Sequence, residues 1–223
     1  IDRLSKVATT YEARMVFLNA SAINSAALLL NSRSEAFPRG LANGSDQVGR
    51  NLMDHVGCGQ IVGTYPAGFE DQPWQADRPT GIYIPRYSGI TETDKPYLRG
   101  FGMQGGARKI RRGDGPKAWV LTLAPFGEVL PDPENRVTLS ASRIDSWGIP
   151  LPRIEAAHGA NEQAMMREAA SAAAAMLAAA GCTDITPWEE SGAQLTPPGD
   201  RIHEMGTARM GRDPATSVFN GWG

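Results

Sequence analysis

The chain has 223 residues, 41% hydrophobic and 21% charged, which suffices for one core or about one and a half domains of an ordinary globular protein. A formal net charge of −2 gives no field for nucleic acid, and no apolar run reaches the length that spans a membrane. Cys58 and Cys182 show neither CxxC nor metal-ligand spacing, so neither a disulfide framework nor a metal site is expected.

The first element expected is a strand. Glu12-Ala13-Arg14-Met15-Val16-Phe17-Leu18 is an apolar run of strand length, followed by a small-residue turn at Ala20 to Ser25. A short helix then carries Leu28, Leu29 and Leu30 from Ala26 to Asn31, and Phe37-Pro38-Arg39-Gly40 breaks it. From Val56 to Ala156 the texture is that of an antiparallel sheet. Gly81 to Pro85, Ala118 to Leu123 and Asn135 to Ser140 read as strands between Pro/Gly/Asp turns, with Pro131-Asp132-Pro133-Glu134-Asn135 turning into the third. The basic cluster Arg108-Lys109-Ile110-Arg111-Arg112, beside Gly113-Asp114-Gly115-Pro116, reads as a solvated loop. Asn161 to Ala180 is a helix that Asn161 can cap and Gly181 stops, with Met165, Ala169, Met176 and Leu177 near one face. A polar loop, Pro197-Pro198-Gly199-Asp200, leads to His203. Strands, a long helix and a returning loop predict an α+β fold.

Three signals bear on chemistry. Ile202-His203-Glu204-Met205-Gly206-Thr207-Ala208-Arg209-Met210-Gly211 sets one proton-active side chain among glycines and methionines. Histidine's unperturbed pKa of about 6.5 suits a base working near neutral pH. From the residues alone, His203 is either such a base or a satisfied structural histidine. It does not open an HExxH zinc motif, because the second histidine would fall on Thr207. Gly100-Phe101-Gly102-Met103-Gln104-Gly105 formally satisfies GxGxxG, but no helix follows to hold a pyrophosphate, so it predicts a turn or bulge within the sheet. Asn19 to Ser25 is a junction whose small residues would let a ligand approach the backbone, or simply pack. The acceptor triplets Asn19-Ala20-Ser21 and Asn43-Gly44-Ser45 are read as chance.

Together these segments resemble the glucose–methanol–choline (GMC) family of FAD-dependent oxidoreductases, in the family's own order and over nearly the whole chain. Val16 to Ser25 with Leu28-Leu29-Leu30-Asn31-Ser32 is similar to its second signature. Ser21 stands for the usual Gly and Ala26 for the usual Pro, departures that suit bacterial sugar- and gluconate-type branches. Val48-Gly49-Arg50-Asn51-Leu52-Met53-Asp54-His55 resembles the segment entering the substrate domain, where Asp54 and His55 are expected to be structural. Leu130 to Leu139 and Trp147-Gly148-Ile149-Pro150 look like the substrate-domain sheet, and Ile202 to Gly211 like the catalytic segment.

The resemblance implies residues 1–55 as the C-terminal part of an FAD-binding domain, 56–195 as the substrate domain and 196–223 as an incomplete return to the FAD domain. It implies hydride transfer from a CH–OH group of an alcohol, sugar or sugar acid to flavin N5. His203 would take the hydroxyl proton, Ala20, Ser21 and Gly206 would touch the FAD, and Met205 and Thr207 would line the substrate wall. The electron acceptor would be oxygen, a quinone or a haem subunit. The chain opens Ile1-Asp2-Arg3 without an initiator Met, so it is expected to be an internal slice, with cytoplasm and periplasm both open. A Gly-rich dinucleotide motif is expected upstream and a second catalytic residue downstream. Two other readings stand beside this one: a truncated fragment that binds no flavin, and an α+β binding module with a fortuitous His segment.

Overall fold

The computed structural model describes residues 1–2, 4–65, 81–111, 117–186 and 194–222. It has two helices and antiparallel sheets, an α+β fold. Helix α1 is Ser21–Asn31, strands β1 to β7 run His55–Gly57, Ile61–Tyr65, Gly81–Ser88, Phe101–Arg111, Lys117–Glu128, Arg136–Ile144 and Pro150–Glu155, and helix α2 is Ala160–Ala179. The chain divides into two compact units. Unit 1 takes Ile1–Met53, Pro131–Ala157 and His203–Gly223; unit 2 takes Asp54–Leu130 and His158–Ile202.

In unit 1, α1 packs on the antiparallel pair β6–β7. Alanine and leucine favour this helix, and its spacing turns Ala26, Ala27, Leu29 and Leu30 inward. They meet Val48, Leu52 and Val137 in one apolar core. The helix stops at Ser32, whose hydroxyl donates to the Leu28 carbonyl at 2.7 Å. Two expectations fail here. The residues expected to form a turn, Ser21 to Ser25, are the start of α1 itself, since Ala22 and Ile23 extend the helical face. The run Glu12 to Leu18 forms no strand, and none of the described strands pairs with it; Val16 and Phe17 are 82% and 76% exposed.

In unit 2, β5 is the spine of a five-stranded antiparallel sheet. β4 pairs with it from Phe101↔Gly127 to Arg111↔Lys117, β3 flanks β4, and β2 and β1 share the other edge of β5 in succession. α2 covers the face that carries Phe101, Met103 and Leu123, and presents Met165, Ala169, Ala173 and Leu177 to it. Met176, expected on that face, is only half-buried. The helix begins one residue earlier than expected, with Gly159 before its first turn. Asn161 does not cap it: its Oδ1 accepts the Leu98 N–H at 2.7 Å. Gly181, at φ +86°, follows the helix as expected.

Phe101 to Gly105 of the GxGxxG match lies within the sheet as the body of β4, in an unbroken ladder to β5, and its register against β3 shifts between Ile84 and Ser88, opposite Gly102. The sheet corrects one loop reading. Arg108 to Arg111, expected in a solvated loop, completes the same strand. The rest of that cluster and its Gly/Pro neighbours, 112–116, lie outside the described residues. Among the described residues no helix is long and apolar enough to cross a membrane. Cys58 and Cys182 are buried free thiols.

Candidate functional site

The segment that begins at His203 has no helical or sheet context of its own, and residues 49–53 hold it in place. Met53 and Met205 exchange both backbone hydrogen bonds at 2.9 Å; Gly49 N–H donates to Thr207 O at 2.6 Å, and Thr207 N–H to Arg50 O at 3.0 Å. The same ribbon is tied on its other side to β6, through Val137 N–H to Gly49 O at 2.8 Å and Leu52 N–H to Asn135 O at 2.8 Å. Residues 49–53 are therefore a central strut between the hairpin and the His203 segment.

The strut explains Gly206. Its φ is +90°, and a Cβ there would collide with the Asn51 carbonyl oxygen. Asn51 is itself left-handed at φ 58° and buried, and its Nδ2 finds no partner among the described residues. Thr207, next in line, is 1% exposed at φ 65°, and its hydroxyl donates to the Ala22 carbonyl at 2.9 Å. That bond clamps the first turn of α1 onto the His203 segment.

A cavity of about 350 Å³ opens at this clamp, entirely within unit 1. Leu18, Asn19, Ser21, Ala22 and Ser25 line it from the start of α1, and Gly206, Thr207, Ala208 and Phe219 from the C-terminal stretch. Ala20 precedes a helix that it cannot cap, having no polar side chain, and the first turn carries no acid. The N–H groups of that turn stand ready for an acceptor from outside the helix. Ser21 holds a left-handed φ of 62° at the same point.

The structure thus brings Ser21, Gly206 and Thr207 into one cavity, although they come from opposite ends of the chain. Ala20 adjoins it in sequence without lining it. Met205 lies on the strut ladder with its side chain 47% exposed. His203 is exposed, two residues before Met205. Sequence reading missed Asn51 and Gly49 as the partners that set the path of residues 205–207. The Val48 to His55 motif was visible, but it gives no sign of which distant segment it pairs with.

A family model described as GMC oxidoreductase matches residues 131–223. The chain is 28% identical to 2-methyl-1,2-propanediol dehydrogenase of Mycolicibacterium austroafricanum over 100% of its length and 43% of that protein's. It is 30% identical to paromamine 6'-oxidase of Streptomyces fradiae, covering 100% of the chain and 40% of the relative. It is 31% identical to the fructose dehydrogenase large subunit of Gluconobacter japonicus, covering 94% and 40%. The chain spans about two fifths of the length of these relatives. The family match falls on the stretch that contains both the β6–β7 hairpin and the His203 segment, and the relatives extend the likeness through α1 and the strut: residues 131–223 match the GMC oxidoreductase family, and the whole chain is similar to the dehydrogenases and oxidase above.

Proposed function

We propose that this chain serves an FAD-dependent oxidoreductase that oxidises a CH–OH group of an alcohol, sugar or sugar acid, with His203 accepting the hydroxyl proton. GMC oxidoreductases are flavoproteins. The observation that carries the reading is the unit 1 cavity, where Ser21, Ala22, Gly206 and Thr207 meet beside an uncapped helix start. These residues fit a flavin. Small side chains and backbone leave room for a flat ring, and the free N–H groups of α1 suit its polar edge. Ala20, Ser21 and Gly206 would hold the cofactor, which when bound supplies the hydride acceptor at N5.

The chain's own residues would do the rest. His203 holds and removes the proton of the substrate hydroxyl. Met205 and Thr207 form the substrate wall, and Thr207 also fixes α1 against the His203 segment through Ala22. In this reading unit 1 carries the flavin contacts, His203 and the substrate wall of Met205 and Thr207, and unit 2 belongs to the substrate domain. The partners are a small-molecule alcohol or sugar and an electron acceptor, whether oxygen, a quinone or a haem subunit.

The test is His203→Asn in an enzyme carrying this chain, with 2-methyl-1,2-propanediol and fructose screened as substrates. Single-turnover bleaching of the flavin should slow by about 10²–10⁴-fold while the visible flavin spectrum is retained. An unchanged bleaching rate would remove His203 from the mechanism. Failure of the unmutated protein to retain FAD would remove the flavin reading itself.

A further inference from the structure

Unit 2 contains a cavity of its own, of about 480 Å³, on the face of the sheet opposite α2. The register sets Gln104, Gly106 and Arg108 of β4 on that face, across from Ala124, Thr122 and Val120 of β5. Gly106 and Ala124 make a shallow floor, and Gln60, Gln104, Thr122, Arg108 and Arg201 supply the polar walls. Among the described residues both charged lining residues are arginines, and neither aspartate nor glutamate lines the cavity. Glu128, on the same face, is paired with Arg86 at 3.6 Å.

Arg201 is built in rather than draped over the surface. Its backbone N–H donates to Asp54 Oδ2 at 3.1 Å, and its guanidinium occupies the space above Gly57, where any Cβ would strike Nη2 and Cζ. Its Nε is buried, and it has no hydrogen-bond partner among the described residues. With Nε enclosed, it is through its terminal nitrogens that the guanidinium would meet an acceptor in the cavity. The guanidinium fork matches a carboxylate in particular. Beside it, Tyr83 and Phe126 stack at 6.4 Å, and Tyr83 lies directly opposite Gln104, which offers an apolar surface to a carbon chain next to the polar groups.

We propose that this cavity binds a hydroxy acid, with Arg201 anchoring the carboxylate and Gln60, Gln104 and Thr122 meeting the hydroxyls. Insofar as it rests on the oxidoreductase reading above, the ligand is the substrate, and its class narrows to an alcohol that also bears a carboxylate. The binding itself stands on unit 2 alone.

The experiment follows the Arg201 Nε–H resonance of the full chain by NMR while D-gluconate or sorbitol is added. The two probes share a chain of hydroxyls and differ by carboxylate against CH2OH. Gluconate should shift the resonance saturably and bind at least tenfold more tightly than sorbitol. Gluconate binding is followed in the variants through the Gln104 side-chain amide. Arg201→Gln should weaken it at least tenfold, and Gly57→Ala, which keeps the charge but evicts the guanidinium, should weaken it as well. Because the evicted atoms are the far end of a flexible side chain, Gly57→Ala is expected to fold. Equal affinity for both probes, binding that survives both variants, or no binding of gluconate would each overturn the proposal. FAD uptake is recorded in parallel by absorbance. A chain that binds gluconate through Arg201 but takes up no flavin would uphold this site and count against the oxidoreductase reading.

Discussion

Gly206 shows how a single residue ties the backbone to the site. It is held at φ +90° with the Asn51 carbonyl pressed against its α-carbon, so an alanine there meets both torsional strain and a backbone collision. Gly206→Ala should destabilise unit 1 by about 1–3 kcal/mol in urea denaturation. It should also speed hydrogen exchange at the Met53 and Met205 amides; wild-type exchange at both would show that the strut does not depend on this glycine. Cys58 makes a second point. Burial, the dominant cause, pushes its thiol up from 9.0 to about 11, and the nearby Arg201 charge offsets only part of this. A raised folded-state pKa means that the stabilising effect of the neutral thiol is complete below pH 9 and is lost as pH rises through about 11. Stability measured between pH 8 and 11 should therefore fall less steeply in Cys58→Ala than in the native chain, and parallel curves would refute the linkage. The sequence marked Gly206 and Ser21 through the resemblance. It could not mark Asn51, whose importance lies in a backbone carbonyl and a left-handed torsion.

At the level of elements, α2 is fixed at its start by a carboxylate. Glu162 is 3% exposed; its Oε2 accepts the Gly159 N–H at 2.7 Å, and its Oε1 accepts the Leu130 N–H at 3.0 Å. One side chain thus satisfies the helix entry and the end of the segment leaving β5. Glu162→Ala should cost about 1–3 kcal/mol, because two partly buried N–H donors lose their acceptor. Urea denaturation checks this, and a loss under about 0.5 kcal/mol would show the donors satisfied elsewhere. α2 was legible in the sequence because its alanines and its terminal glycine agree on one structure. β3, β5 and β6 were legible from their turns. The run Glu12 to Leu18 misled because an apolar stretch states only what it could pair with; a strand also needs an edge, and that information lies elsewhere in the fold. β4 misled in the opposite sense. Its arginines look like loop, yet a full ladder to β5 decides the matter.

For the molecule as a whole, the α+β class followed from the order of its segments, and the GMC likeness from motifs spread from α1 to the His203 segment. The grouping of residues into two units was less accessible. Pro131 to Ala157 follows β5 directly in the chain, yet it packs with α1 through Val137. That partnership depends on a core shared by residues far apart in sequence, which local periodicity does not encode.

The interleaving of the two units bears on the order in which they can form. The ribosome delivers the chain at about 5–20 residues per second from its N-terminus. Every stretch of unit 2 has emerged by Ile202, whereas unit 1 still awaits His203 to Gly223. Gly49 and Met53 cannot complete their bonds to Thr207 and Met205 until that last stretch arrives, nor can Thr207 clamp Ala22. The sheet of unit 2 can therefore mature while the cavity beside Ser21 is still open on one side. Nascent-chain folding would complete the proposed flavin contacts of this chain only after unit 2, and the Ala26, Leu29 and Leu30 face of α1 would meanwhile rest on Val48, Leu52 and Val137 alone.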